Sequence, residues 1–317
     1  MTPTPGAAYQ LIADNVQLVV RGKPEVVRLA TAALFAEGHL LIEDVPGVGK
    51  TTLARCIAAS IGGRWHRIQF TPDLLPGDIT GVTVYQQSTE RFQFHPGGIF
   101  ANVVLADEIN RGTPKTQAAL LEVMAERRVT VDSVSYAVPR PFLVVATQNP
   151  IELEGTYRLP EAQLDRFLMR LSVGYPDHDA EKRIVLADCA EVSPDGLKPV
   201  LDIADVQRVI GEVRKSRVAP EIVSYAVRLA AASRTHPAVR YGASPRGSIA
   251  LIRAAQAIAA THDRDYVIPD DVKDVAHPVL CHRLVLTPDA ELNQHQASQV
   301  VDELLSDIAI PTAVTGR

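Results

Sequence analysis

Along the first half of the chain, short runs of consecutive apolar residues alternate with stretches of helical spacing, whereas the second half carries helical spacing almost throughout. A helix is expected to about Val20, a break at Arg21-Gly22-Lys23-Pro24, and a second helix from Glu25 to Glu37, with Pro24 suited to its first turn. The run His39-Leu40-Leu41-Ile42-Glu43 ends in a glycine-rich turn and a helical pattern from Lys50 to Ser60, which predicts strand, loop, helix. Further β-branched runs at Asn102 to Ala106 and Phe142 to Thr147 have the character of strands buried on both faces of a parallel sheet. Between them Thr113-Pro114 opens a helix whose apolar face is read as Ala118, Leu121, Met124 and Ala125. Alternating segments predict two hairpins, one over Val129 to Val138 turning at Asp132-Ser133, the other pairing Val82 to Tyr85 with Phe92 to Phe94. After Tyr175-Pro176-Asp177 come alanine-rich helical segments, near 179–192, 202–215, 220–235, 244–262, 269–281 and 291–308. The expected organisation is a flexible tail over 1–12, an α/β sheet domain over 13–175, an all-α domain over 176–310 and a tail over 311–317.

Composition narrows the function classes. A chain of 317 residues, 46% hydrophobic, can fill two cores. Its net charge of -5 gives no overall positive field to gather nucleic acid or an anionic membrane. Cys56, Cys189 and Cys281 are far apart with no paired-ligand spacing, which disfavours a zinc site or a disulfide framework and fits a reducing cytoplasm. No apolar run reaches the roughly 18 residues of a membrane span, and the N-terminus lacks a basic segment followed by an apolar core, so an unprocessed, soluble, cytoplasmic chain is expected.

The chemistry begins at Pro46-Gly47-Val48-Gly49-Lys50-Thr51-Thr52. Closely spaced glycines leading into a helix let successive backbone N–H groups face phosphate oxygens, with the helix N-terminus adding partial positive charge. In this phosphate-binding loop, or P-loop, Lys50 would reach the β- and γ-phosphates and Thr51 would ligate Mg²⁺. The usual pattern places its first glycine where this chain has Asp44. A carboxylate facing a triphosphate is repelled, so the Asp44 side chain is expected to point away. About sixty residues on, Val103-Val104-Leu105-Ala106-Asp107-Glu108 is an apolar strand ending in two acids, at the edge where open α/β sheets bind ligands. Asp107 would hold the Mg²⁺ shell and Glu108 would orient and deprotonate the attacking water.

The order of P-loop, Asp-Glu strand, Asn-ended strand, Arg-bearing helix and helical lid resembles an AAA+ ATPase, and more narrowly the MoxR family. The motifs that carry the resemblance are Glu43 to Thr51, Leu75-Pro76-Gly77-Asp78-Ile79-Thr80-Gly81, Ala106-Asp107-Glu108-Ile109-Asn110-Arg111, Ala146-Thr147-Gln148-Asn149-Pro150, Gly155-Thr156-Tyr157 and Leu159 to Phe167. The resemblance implies an αβα core with inserted β-hairpins followed by an all-α lid. It implies Asn149 as sensor 1, its amide able to hydrogen-bond both water and γ-phosphate. It implies Arg166 as an arginine finger acting on a neighbouring subunit, with Arg170 as the nearby competitor. It implies Arg246, in the helix opened by Ser244-Pro245, as sensor 2, which would swing onto the phosphates and report nucleotide state to the lid, and a base site near Val20, Arg21 and Gly22, with adenine as the base. The implied activity is ATP hydrolysis in a ring, as a hexamer, with MoxR-type remodelling of protein complexes and partners that carry a von Willebrand factor A domain. The two hairpins are the candidate outputs, with Phe92 and Phe94 expected to face their own core. Two alternatives stay open: a DNA-directed motor using Arg127, Arg128 and Arg140, and an ATP-dependent binding switch with negligible turnover.

Overall fold

The computed structural model describes residues 3–150, 155–189 and 193–311. Helix α1 (Pro5–Gln17) begins directly after Thr4, whose hydroxyl accepts from the Ala7 N–H, and Gly6 N–H donates to Asp263 Oδ1 at 2.7 Å in the second domain. Ala8, Ile12 and Val16, four residues apart on one face, are fully buried. The flexible tail expected through residue 12 is therefore packed helix from Pro5 onward.

The first domain continues through α2 (Pro24–Phe35), β1 (Leu40–Glu43), α3 (Lys50–Ser60), β2 (Trp65–Gln69), a short α4 (Pro76–Thr80), β3 (Gly81–Gln86), β4 (Arg91–Pro96) and β5 (Val103–Asp107). It closes with α5 (Pro114–Glu126), β6 (Arg128–Val131), β7 (Val134–Ala137), β8 (Leu143–Gln148), a short α6 (Glu161–Leu164) and β9 (Met169–Leu171). Five strands form one parallel sheet in the order β2-β5-β8-β1-β9. Period-two alternation sends Leu40, Ile42, Leu105 and Val145 to one face, and Leu41, Val104, Ala106 and Val144 to the other. The second face is covered by α5, through Leu120, Leu121, Val123 and Met124. That stripe is rotated from the expected one: Ala118 and Ala125 are exposed, and Gln117 is buried because its amide donates to the Ile109 and Tyr157 carbonyls.

Both hairpins are present. β6 and β7 turn at Asp132-Ser133, with φ of 48° and 65°, the left-handed pair that a two-residue hairpin requires. β3 and β4 pair with Tyr85 opposite Phe92. Phe94 stacks on Tyr136 with ring centroids 4.0 Å apart, joining the two hairpins. Phe92 does not face a core: it is 74% exposed, because the second hairpin covers only the Phe94 end of that strand face.

The second domain holds α7 (His178–Cys189), α8 (Ile203–Val213), α9 (Pro220–Ser233), β10 (Val239–Tyr241), α10 (Pro245–Thr261), α11 (Pro269–Asp274), α12 (Ala276–Leu280), β11 (Val285–Leu286), α13 (Pro288–Leu292) and α14 (Ala297–Asp307). The helix expected over 269–281 is broken into α11 and α12, and the one expected over 291–308 is split at Asn293–Gln296. β10 and β11 add a small antiparallel pair that no apolar run announced. The expected extension of α7 through 190–192 and the tail beyond residue 311 lie outside the described residues. Helix α10 packs against α1 and α2, so Ala254 and Ile258 share one apolar cluster with Leu40 and Ile42. Among the described residues, no helix is long and apolar enough to cross a membrane.

Candidate active site

The P-loop follows β1 in the middle of the sheet. Gly47 and Gly49 take φ of +84° and +88°, and a Cβ at either would meet nothing within 4 Å. Both glycines thus take left-handed angles beside open space, and α3 starts at Lys50, so its first-turn N–H groups lack helical acceptors. Pro46, Gly47, Gly49, Lys50, Thr51, Thr52, Asp107, Glu108 and Asn149 line one cleft of ≈ 400 Å³, joined by Arg67. Val48 instead packs against the core.

Asp44 points away from that cleft, as expected. Its carboxylate accepts from Ser172 Oγ at 2.9 Å and from the Val173 and Gly174 N–H groups at 2.6 Å each, on the segment leaving β9, and from the Val45 N–H. Burial works to raise the Asp44 pKa, but the hydrogen bonds led by Gly174 and Ser172 outweigh it and hold the group below the usual carboxylate range. The residue where the motif has glycine is therefore a brace between the P-loop and the strand that leads to the second domain. Lys50 Nζ donates to the Asp44 carbonyl at 2.7 Å. Burial lowers the Lys50 pKa, partly offset by Asp44, Asp107 and Glu108.

The two acids at the end of β5 are held by side chains that apolar patterning passed over. Thr147, fully buried on β8, donates to Asp107 Oδ1 at 2.6 Å and accepts from the Glu108 N–H at 2.9 Å. Arg67 on β2 grips Asp107 Oδ2 through Nε at 3.0 Å and Nη2 at 2.5 Å. Gln69 donates to Glu108 Oε2 at 2.7 Å, and Arg111 reaches the same oxygen at 3.1 Å. Glu108 sits at φ 54°, ψ 50°, in the left-handed region, where Glu37 and Glu90 of this chain also have positive φ. Arg67 and Gln69 share one side of β2, in register with Leu105 and Asp107. The available signal was their alternation in Trp65-His66-Arg67-Ile68-Gln69, a polar strand that only an edge position tolerates. Asn149 is buried at the end of β8, its carbonyl accepting from Asn110 Nδ2 at 3.4 Å. The donor set fits Mg²⁺: the Thr51 hydroxyl and Asp107 carboxylate are hard oxygen ligands lining the cleft beside Lys50.

Arg166 and Arg246 lie elsewhere. They line a separate cavity of ≈ 300 Å³ between the domains, with Glu37, Arg127, Asp165, Arg253 and Arg283. Glu37, its side chain 2% exposed, is paired there with Arg127 at 3.0 Å, Arg140 at 2.6 Å and Arg214. Arg166 Nη1 donates to the Leu121 carbonyl at 2.5 Å, and Arg246 is exposed. Arg170 is bound to Glu43 on β1 at 2.9 Å. Val20 is buried in the core, and α7 packs on Gly22 so closely that a Cβ there would stand 2.5 Å from Ala180 Cβ; neither lines the cleft.

The chain matches the model of the ATPase family associated with various cellular activities (AAA) over residues 39–169, and that of the AAA lid domain over 231–304. It is 42% identical to Chaperone MoxR1 of Mycobacterium tuberculosis, over 97% of this chain and 86% of that protein. The chain belongs to the MoxR family of AAA+ ATPases. Within the range of this MoxR-type chain also stands the uncharacterized protein YeaC of Bacillus subtilis, 49% identical over 94% of this chain and 93% of that one. A crystal structure of a protein from Cytophaga hutchinsonii proposed to be an ATPase superposes with a TM-score of 0.91 at 36% identity, covering 97% of this chain and 96% of that one. The MoxR-type AAA+ fold, a parallel five-stranded core with a helical lid, is thereby fixed independently of the side-chain geometry.

Proposed function

We propose that this chain binds ATP with Mg²⁺ in the P-loop cleft and hydrolyses it between subunits of a homo-oligomeric ring, a hexamer, to remodel or activate partner protein complexes. The observation that carries this reading is the separation just described. Lys50, Asp107, Glu108 and Asn149 share one cleft, while Arg166 and Arg246 line another cavity. A phosphoryl-transfer site needs cations on the γ-phosphate at the transition state, and a second copy supplies them where the chain's own cannot reach.

In this reading Lys50 leaves the Asp44 carbonyl for a phosphate oxygen, since a charged acceptor is the stronger partner. Thr51 and Asp107 would hold Mg²⁺, which would supply neutralising positive charge to the phosphates. Arg67 must then yield its grip on Asp107 Oδ2. Glu108, anchored at Oε2 by Gln69 and Arg111, takes the proton of the attacking water, and Asn149 orients that water. Gly22, exposed beside α7, contacts the base from outside the phosphate cleft, with Val20 buried behind it.

A protein client, such as one carrying a von Willebrand factor A domain, is favoured over DNA by the arginines beside the β6–β7 hairpin. Arg127 and Arg140 are committed to Glu37, and Arg128 donates to Ser135 Oγ at 2.8 Å. They do not form a free phosphate-binding stripe. The test is phosphate release and nucleotide retention. Glu108→Gln is expected to retain ATP and lose hydrolysis by about 10²–10⁴-fold. Arg166→Ala is expected to lose about 10³-fold or more with ATP affinity retained. Hydrolysis at the wild-type rate by either variant sinks the assignment.

A further inference from the structure

Asp165 joins the segment that carries Arg166 to the helix that carries Arg246. Its Oδ2 accepts from Ser244 Oγ at 2.7 Å, and Ser244 is the N-cap of α10, its hydroxyl also accepting from the Arg246 N–H at 3.1 Å. Its Oδ1 accepts from Arg283 Nε at 2.8 Å, with the two side chains 16% and 3% exposed. The same guanidinium donates to the carbonyls of Phe167 at 2.6 Å and Leu168 at 3.2 Å, and to that of Val279. A planar fork that meets one carboxylate and three carbonyls leaves little rotational freedom. Breaking it would strand a buried charge.

We infer that Asp165 and Arg283 are positioning residues that lock Arg166 and Arg246 into a single block, so that core and lid present both arginines together to the neighbouring subunit's nucleotide. This rests on the reading that these arginines act in trans. Neither clamp residue touches substrate; each acts through the placement of the arginines. Because displacement of a charged group by about 1 Å can cost on the order of 100-fold in rate, loss of the clamp is felt in turnover while the variant's own P-loop stays intact.

Mixing inactive subunits tests this. Asp165→Asn alone is expected to lose about 100-fold in ATP hydrolysis and keep its ATP affinity. Mixed one to one with Glu108→Gln, which has intact arginines, it is expected to regain activity at the about one quarter of interfaces that pair its P-loop with the other's arginines. Mixed with Arg166→Ala it is expected to stay inactive, since both lack the same side of the site. Ser244→Ala removes one of the two bonds to Asp165 while keeping the buried ion pair. It is expected to lose activity several-fold in the same pattern, which keeps the test available if Asp165→Asn does not fold. Failure of Asp165→Asn and Ser244→Ala to be rescued by Glu108→Gln, while Arg166→Ala is rescued, overturns the clamp and leaves the trans reading standing. Wild-type activity in both clamp variants also overturns it. Failure of the Arg166→Ala control to be rescued overturns the trans reading, and the clamp with it.

Discussion

The P-loop cleft and the arginine cavity are built on opposite plans. In the cleft, the acids are held by the chain's own donors: Asp107 by Arg67 and Thr147, Glu108 by Gln69 and Arg111, while Asp44 is tied behind the loop to Ser172, Val173 and Gly174. In the cavity, cations are in excess: Arg127, Arg166, Arg246, Arg253 and Arg283 stand against the carboxylates of Glu37 and Asp165, and Arg246 is left exposed. One region has its charges balanced internally and the other presents positive charge outward. On the proposed reading, the cleft carries one half of a phosphoryl-transfer site within the chain and the cavity offers the other half to a second copy.

The largest expected effect falls on that contrast directly, in the Glu108→Gln and Arg166→Ala losses of hydrolysis. Next comes the brace behind the P-loop. An Asp44 without partners would tolerate replacement by glycine, as the sequence motif alone suggests. With its four bonds, Asp44→Gly is expected to destabilise the fold by on the order of 3–4 kcal/mol, and Asp44→Asn by roughly half that, read from denaturant midpoints. Equal stability of Asp44→Gly and wild type would show that the four bonds behind the P-loop do not brace it.

The wall of the arginine cavity gives a pH test. His39 is fully enclosed; the Val144 N–H donates to its Nδ1 at 3.1 Å, and its Nε2 lies 3.1 Å from the Met124 carbonyl, so the neutral ring with its proton on Nε2 satisfies both. Burial pushes its pKa down to about 4, with Arg127 and Arg253 adding to the shift and the Met124 bond opposing it. The unfolded chain takes up this proton near the ordinary histidine pKa and the folded chain only near 4. Stability is therefore lost as pH falls from about 6.5 to about 4, by roughly 3 kcal/mol from this group. His39→Gln is expected to flatten the stability profile across that window and leave it unchanged above about pH 7; an identical slope in both proteins would contradict the assignment.

The smallest effect lies in the hairpins, outside both regions. Phe94→Ala, which removes the stack on Tyr136, is expected to cost about 1–2 kcal/mol, and Phe92→Ala under about 0.5 kcal/mol, by thermal unfolding. The reverse ranking would mean that the hairpins are not joined as described.

What could be read from sequence follows the physics of each part. Lys50, Thr51, Asp107, Glu108 and Asn149 were legible because a P-loop and two strand ends impose residue type at short range, and the structure brings them to one cleft. Arg67 and Gln69 were hidden because β2 is an edge strand with little apolar signal, although it lies in register with the strand that bears the acids. The clamp was hidden for another reason. Asp165 meets Ser244 and Arg283 across 79 and 118 residues of sequence, and no local pattern encodes such pairing. Phe92 shows the limit of alternation, which assigns a strand face and leaves open what covers it.

The most direct measurement is steady-state phosphate release from mixtures of Glu108→Gln and Arg166→Ala across their full range of ratios. A site completed in trans gives near-zero release for either variant alone and a maximum near the equal mixture, at about a quarter of wild-type activity per subunit. Release that stays at the baseline across all ratios, with both variants folded and binding ATP, would contradict it.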